Sequence, residues 1–312
     1  MPSAADSPAD QTIALIGFGE AAQAFLEGMG LEGMGEARAA AFRAFDFKTL
    51  TPDTRDAKLA DYARWSVTGA VSSAEAVRGA AAVLSLVTAD QALAAAETAA
   101  RAIAPRAFYF DGASVSPDAK RAAAAAIEAA GGRYVDVAIM SPVHPALTRT
   151  PLLLSGPHAE AAVGALQALG FANVRALEGP VGAASAVKMI RSVMVKGIEA
   201  LTAECLTAAV AAGVDAEVIA SLDASEKPKP WAERGDYNLD RMMVHGTRRA
   251  AEMEEVVKTL EALGLAAPLT RATVAWQSAV GAANLKTPPE GYSAKVSAIS
   301  KAVALSSLGN LA

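Results

Sequence analysis

Short apolar runs alternate with alanine-rich amphipathic stretches over the first 180 residues, and the alternation stops at Gly179-Pro180. The run from Thr12 to Ile16 ends in Gly17 and reads as a first strand; a helical pattern follows from Glu20 to about Met29. GLEGMGEARAA (30–40) has no apolar period and reads as a glycine-rich connection. AAFRAFDF (40–47) then alternates and closes a second strand on Asp46. VTGAV, AAVLSLV, AFYFDGA, RYVDVAIM, PLLLSG and NVRALEG are further strand candidates, most of them separated by helical patterns. Strands alternating with helices predict a parallel sheet covered on both faces. The last three candidates share a single intervening helix, which leaves a mixed edge open.

Beyond Gly179-Pro180 no strand pattern recurs. Val181 to Ala212 is one helical stretch closed by Gly213 as a cap. KPKPW (227–231) is a break, because two prolines do not sit inside a regular helix. Helices are expected at about 237–263 and 268–282, with a last one after Thr287. The expected fold class is therefore α/β: a Rossmann-type doubly wound sheet over 11–179, followed by an all-helical domain over 180–312. Residues 1–10, small and polar, read as a loose leader without signal-peptide order.

Composition narrows the function. The 312 residues are 53% hydrophobic but only 5% aromatic, so alanine, valine and leucine carry the core. The formal charge of -5 is spread along the chain, without the basic footprint of a nucleic-acid binder. Cys205 is the only cysteine, which rules out an intrachain disulfide; no cysteine–histidine cluster suggests a metal, and Cys205 is expected to be packing. No apolar run reaches the roughly 18 residues of a membrane span. These features lead to an expected cytoplasmic setting.

Gly17-x-Gly19-x-x-Ala22 is a dinucleotide fingerprint with alanine in third place. Gly17 permits the tight turn, Gly19 lets backbone approach a pyrophosphate, and Ala22 is small enough for helix–strand packing. The helix start adds a positive dipole. Phe18, Glu20 and Ala21 complete the expected cofactor turn. Asp46 lies where a carboxylate would hold a ribose diol, which favours NAD over NADP, although Lys48 nearby would tolerate a phosphate.

The second informative stretch is GPVGAASAVKMIRSVMVKG (179–197). Small residues lead to Lys188, and Lys188, Arg191 and Ser192 share a helix face. With GFGEAA, the strand end at Asp46, LVTA (86–89), DGASVSP (111–117) and VDVAIMSP (135–142), this order of parts resembles the β-hydroxyacid dehydrogenase family. That family includes 3-hydroxyisobutyrate and 6-phosphogluconate dehydrogenases; the similarity is greatest to a branch with a divergent helical C-terminal domain.

The resemblance implies hydride transfer between NAD(P) and a hydroxy acid or related alcohol, with Lys188 as general acid/base. It places Val87, Thr88 and Ala89 beside the cofactor, and Ser114 against the nicotinamide ribose or substrate. A lysine near its reference pKa of about 10.4 is a poor base, so burial, the positive nicotinamide and Arg191 would have to favour the neutral amine. Three positions depart from the family pattern. Ser192 stands for the usual asparagine, Met140-Ser141-Pro142 for a serine-glycine-glycine stretch, and Ala21 for a methionine. The altered stretch predicts a larger or more apolar substrate wall.

DRMMVHGTRRAAEMEE (240–255) aligns Arg241, His245 and Arg249 on one helix face. That face either recognises an anionic substrate, across a dimer formed by the helical domain, or is solvated and paired with Glu252, Glu254 and Glu255. His144 is a further pocket candidate, and Trp231 is expected to pack in the core. Two other functions stay open: a cofactor-binding sensor or scaffold without hydride chemistry, and imine reduction, although related imine reductases generally lack this lysine.

Overall fold

The computed structural model describes residues 12–30, 41–225, 228–285 and 287–303. The leader and the glycine-rich connection at 31–40 lie outside these residues. The chain divides into two compact units, residues 1–193 and 194–312.

The first unit is built on an eight-stranded sheet. Its strands are β1 (Ile13–Ile16), β2 (Phe42–Phe45), β3 (Thr68–Gly69), β4 (Ala82–Ser85), β5 (Phe108–Asp111), β6 (Arg133–Ile139), β7 (Leu152–Ser155) and β8 (Val174–Ala176). They lie in the order β3-β2-β1-β4-β5-β6-β7-β8. β1, β4, β5 and β7 are buried at every position, as strands covered on both faces must be. The mixed edge is real: β7 runs antiparallel to β6, and β8 is parallel to β7. Parallel pairing usually takes a crossover through an α-helix, and only a short 3-10 turn (Leu147–Arg149) separates β6 from β7.

The helices of this unit are α1 (Glu20–Gly28), α2 (Pro52–Arg64), α3 (Ser73–Val77), α4 (Ala92–Ala100), α5 (Pro117–Ala129) and α6 (Ala159–Ala168). One sheet face packs large side chains, including Phe18, Phe25, Leu26, Trp65, Leu166 and Phe171. The other is mostly alanine, among them Ala76, Ala96, Ala99, Ala123 and Ala124, around the stacked rings of Tyr109 and Tyr134. α5 starts as its sequence dictates: the Ser116 hydroxyl accepts the Ala119 N–H, and Pro117 follows at the first turn. The sheet order reverses direction at β1, whose neighbours are β2 and β4. Ligands of open α/β sheets bind at the carboxyl ends of strands at such a point.

α7 (Ala183–Ala212) follows, closed by Gly213 at φ +69°. The second unit contains its C-terminal part, then α8 (Asp215–Ser225), α9 (Trp231–Ala262), α10 (Pro268–Ala282) and α11 (Tyr292–Ala302). α9 and α10 meet at two glycines, and a Cβ on Gly281 would stand 2.2 Å from the Thr247 nitrogen. Glu204 of α7 caps α10, accepting the N–H groups of Leu269 and Thr270 and the Thr270 hydroxyl. Lys295 is buried between Asp236 and Asp240, at 2.8 and 3.3 Å.

Three expectations are corrected. α9 begins at Trp231, not near 237, because Pro230 supplies its N-cap instead of only breaking the chain. Trp231 is 57% exposed beside the Arg234 guanidinium and is no core residue. Cys205 is exposed, so it is not buried packing in the chain by itself.

Candidate functional site

The glycine turn joins β1 to α1. Gly17 has φ +82°, and a Cβ there would lie 2.8 Å from the Leu86 carbonyl oxygen. Gly19, the N-cap of α1, has nothing within 4 Å of where its Cβ would be. Between them Phe18 is fully buried, its ring edge-on to Tyr62 at 4.9 Å. Both backbone groups of Phe18 are engaged. Its N–H donates to Asp46 Oδ2 at 2.7 Å, and its carbonyl accepts from Lys58 Nζ at 2.7 Å. Lys58 is itself buried and paired with Asp61 at 2.6 Å. Burial, with Asp46 nearby, pushes the Tyr62 hydroxyl far above its usual range, so it stays protonated. The turn is thus clamped from below and open above.

Two cavities adjoin across residues 86–88. One, of about 480 Å³, is lined by Gly17, Gly19, Asp46, Phe47, Lys48, Val87 and Thr88, among others. The other, of about 420 Å³, is lined by Glu20, Ala21, Val87, Thr88, Ala89, Ser114, Ser141, Pro142 and Lys188, among others. The residues fit a dinucleotide. The open space over Gly19 admits a pyrophosphate at the positive end of α1, and the larger cavity runs on to Asp46 for a ribose. Asp46 is not a free carboxylate, since its Oδ1 also accepts the Lys48 N–H at 2.9 Å.

Lys188 stands in the second turn of α7, half-buried, and its Nζ donates to Ser114 Oγ at 2.6 Å. Ser114 follows β5 after the turn Gly112-Ala113. The Ser192 hydroxyl folds back on its own helix and donates to the Lys188 carbonyl at 2.9 Å. Arg191 reaches the Met140 carbonyl at 3.4 Å. The Met140 side chain packs against Ala138, Leu153 and Ala184, while Ser141 and Pro142 line the smaller cavity. His144 is exposed and does not line either cavity. His245 belongs to α9 in the second unit, half-buried; its neighbour Arg248 pairs with Glu252.

The fold therefore brings Gly17, Gly19, Glu20, Ala21, Asp46, Val87, Thr88, Ala89, Ser114, Ser141 and Lys188 around two adjoining cavities. Sequence reasoning missed Lys58 and a buried cluster of Asp111, Lys120 and Asp136 below Ser114 and Lys188. The available signal was an aspartate inside an otherwise apolar strand run, in FYFD and YVDVA. Among the described residues, no group of histidine, cysteine, aspartate or glutamate is suited to a metal ion. No helix among them is long and apolar enough to cross a membrane.

This geometry belongs to the NAD(P)-binding Rossmann class, and comparison with known proteins agrees. Residues 26–174 match the NAD binding domain of 6-phosphogluconate dehydrogenase, a span that begins inside α1, beyond the glycine turn. Residues 209–280 match a domain of unknown function, DUF1932. A conserved hypothetical protein from Sinorhizobium meliloti 1021 is 35% identical, over 97% of this chain and 100% of its own, with a TM-score of 0.57. Conserved protein MTH1747, of unknown function and described as structurally similar to 3-hydroxyacid dehydrogenases, is 28% identical over 88% of this chain and 98% of its own, with a TM-score of 0.53. The imine reductase from Myxococcus stipitatus in complex with NADP+ shares the fold at 18% identity, over 92% of this chain and 98% of its own, with a TM-score of 0.64. No curated protein matches. The chain belongs to the family that joins a 6-phosphogluconate dehydrogenase-type NAD-binding domain to the helical DUF1932 domain.

Proposed function

We propose that the chain is an NAD(P)-dependent oxidoreductase moving hydride between nicotinamide and a hydroxy acid or a related alcohol or carbonyl compound. The observation that carries this reading is the Lys188 amine on the wall of the 420 Å³ cavity, 2.6 Å from Ser114 Oγ, with Glu20 and Ala21 of the first turn of α1 on the wall of the same cavity. When bound, the nicotinamide accepts or supplies hydride at carbon. Lys188 then holds the complementary proton at the substrate oxygen, taking it during oxidation and returning it during reduction. Ser114 orients the lysine through its hydroxyl, which accepts one N–H and keeps its own proton to donate. Ser141 offers a second hydroxyl to the substrate, and Pro142 gives that wall its apolar character.

Gly17, Gly19, Glu20, Ala21, Val87, Thr88 and Ala89 form the cofactor wall. Asp46 favours NAD, since a carboxylate repels a 2′-phosphate. Arg191 and Ser192 are proposed recognition groups for an anionic substrate, and His245 on α9 is proposed separately as an anion-recognising group of the helical unit. The helical domain, beginning near residue 180, is the proposed site of homodimerisation. Ile190 and Val193 on α7 are each 71% exposed, and large apolar side chains left open in this way mark interaction surfaces. A cytoplasmic setting suits a chain with one cysteine. Imine reduction is the second reading, supported by the fold shared with the Myxococcus enzyme.

Fluorescence titration with NADH and NADPH, followed by a screen of hydroxy acids and cyclic imines, tests these readings. Lys188→Ala is expected to lower kcat on a hydroxy acid by roughly 10²–10⁴-fold, the usual contribution of a general acid/base. Failure to bind either dinucleotide would refute the whole reading. A hydroxy acid turned over equally well by Lys188→Ala would remove the lysine from the mechanism. Turnover of imines alone would favour the second reading.

A further inference from the structure

Two aspartates and a lysine lie buried beneath Ser114 and Lys188, and none of them lines either cavity. Asp111 ends β5, Asp136 sits within β6 and Lys120 on α5, each 1% exposed or less. Burying three charges is costly, and well-packed apolar residues of similar volume would usually serve stability as well. The directions in which the three groups reach suggest what they do instead.

At one end, Lys120 Nζ donates to the Asp111 carbonyl at 2.6 Å and pairs with Asp111 Oδ1 at 3.0 Å. That same Oδ1 accepts the Ala113 N–H at 3.0 Å, and Tyr134 donates to Oδ2 at 2.7 Å. These bonds fix the backbone that presents Ser114. At the other end, Asp136 Oδ2 accepts the N–H groups of Gly182 and Ser185, at 3.1 and 3.0 Å, and the Ser155 hydroxyl at 3.0 Å. Its Oδ1 accepts the Ser185 hydroxyl at 2.6 Å. The carboxylate thus sits at the positive start of α7, one turn before Lys188. Lys120 is 3.6 Å from that Oδ1. One ammonium group therefore ties the strand end that carries Ser114 to the helix start that carries Lys188.

We infer that Lys120 is a positioning residue: held between Asp111 and Asp136, it sets the separation of Ser114 Oγ and Lys188 Nζ. The inference rests on the proposed pairing of those two groups at the site. It adds a residue that touches neither substrate nor cofactor.

The test is acetic anhydride labelling of Lys188 on the full chain, read by peptide mass spectrometry, with exposed Lys301 and buried Lys58 as internal references. It needs no substrate, so a failed hydroxy-acid screen does not bear on it. Ser114→Ala is expected to speed labelling of Lys188 roughly fivefold, the factor a net hydrogen bond is worth. Lys120→Met is expected to match that factor with Lys58 unchanged, and the double variant to be no faster than either single. The charge-matched Lys120→Met/Asp111→Asn variant keeps the net charge of the cluster but lacks the tether. It should show the same rise and decides the matter if Lys120→Met does not fold. Wild-type labelling in the Lys120 variants, multiplied effects in the Ser114/Lys120 double, or a parallel rise at Lys58 would each overturn the inference.

Discussion

The two glycines of the turn respond oppositely to the same added methyl group. In Gly17→Ala the residue must hold φ +82°, and its Cβ meets the Leu86 carbonyl oxygen at 2.8 Å and carbon at 2.9 Å. The backbone conformation costs about 1–3 kcal/mol. The overlap, with backbone atoms that cannot rotate away, adds about 1–3 kcal/mol. Together they lower stability by about 2–6 kcal/mol. In Gly19→Ala the backbone is already extended at φ −91° and the methyl group meets nothing. A weaker N-cap costs up to about 1 kcal/mol. Reduced freedom of the unfolded chain returns about 0.4–1 kcal/mol. Net stability stays within about 1 kcal/mol of wild type. The methyl group, however, fills the space proposed for the pyrophosphate, and dinucleotide affinity should fall at least about tenfold, or 1.4 kcal/mol. Thermal unfolding and NADH and NADPH titrations of both variants read the two effects separately. Wild-type affinity in Gly19→Ala would sink the placement of the pyrophosphate, and wild-type stability in Gly17→Ala would sink the strain argument.

Asp46→Ala removes the acceptor for the Phe18 and Lys48 N–H groups as well as the proposed ribose contact. It should weaken NADH binding more than NADPH binding, because the repulsion of a 2′-phosphate goes with the carboxylate, and cost about 1.5–3 kcal/mol of stability, as bonds to charged groups do; an unchanged Tm would show that the carboxylate does not brace the turn. Burial alone would raise the Glu204 carboxyl, but the Thr270 hydroxyl and the Leu269 and Thr270 N–H groups hold it below its ordinary range. A depressed folded pKa stabilises above the ordinary glutamate value, about 4.3, and the gain is lost as pH falls through the folded value. The stability difference between wild type and Glu204→Gln should therefore shrink on acidification below about pH 4; a difference constant with pH contradicts the assignment. Gly281→Ala sets its Cβ against the backbone of α9 and should destabilise the protein by at least about 1–3 kcal/mol, whereas an unchanged Tm would mean that the two helices can part freely.

Much of the sheet was legible because its strands are short runs bounded by glycine, and because strands buried on both faces read as mostly apolar runs, with few polar positions such as Ser85, Asp111 and Ser155 at their ends. The glycine turn and the lysine helix were legible for a related reason, since small residues at fixed spacing mark backbone that must be approached closely. Lys58 and Lys120 were not. Each sits in a helix whose pattern suits a solvated lysine, and only the packing of distant strands shows that both are buried. Cys205 and Trp231 misled in the opposite sense. An apolar neighbourhood predicts burial only if something covers that face, and the sequence does not show which face is covered. The start of α9 was misplaced because a proline that interrupts one helix also starts the next.

The unequal faces of the sheet divide the first unit into two regimes for evolutionary change. Where phenylalanine and leucine fill the gap, a substitution leaves a hole, and neighbouring side chains have rotamers with which to close part of it. Where alanine from α3, α4 and α5 meets the strands, helix and sheet backbones already approach closely, and almost any replacement is larger. Variation among relatives should therefore accumulate as exchanges of bulky residues on the first face. The alanine face should stay nearly invariant, holding the strand ends around the glycine turn in register while the surrounding sequence drifts.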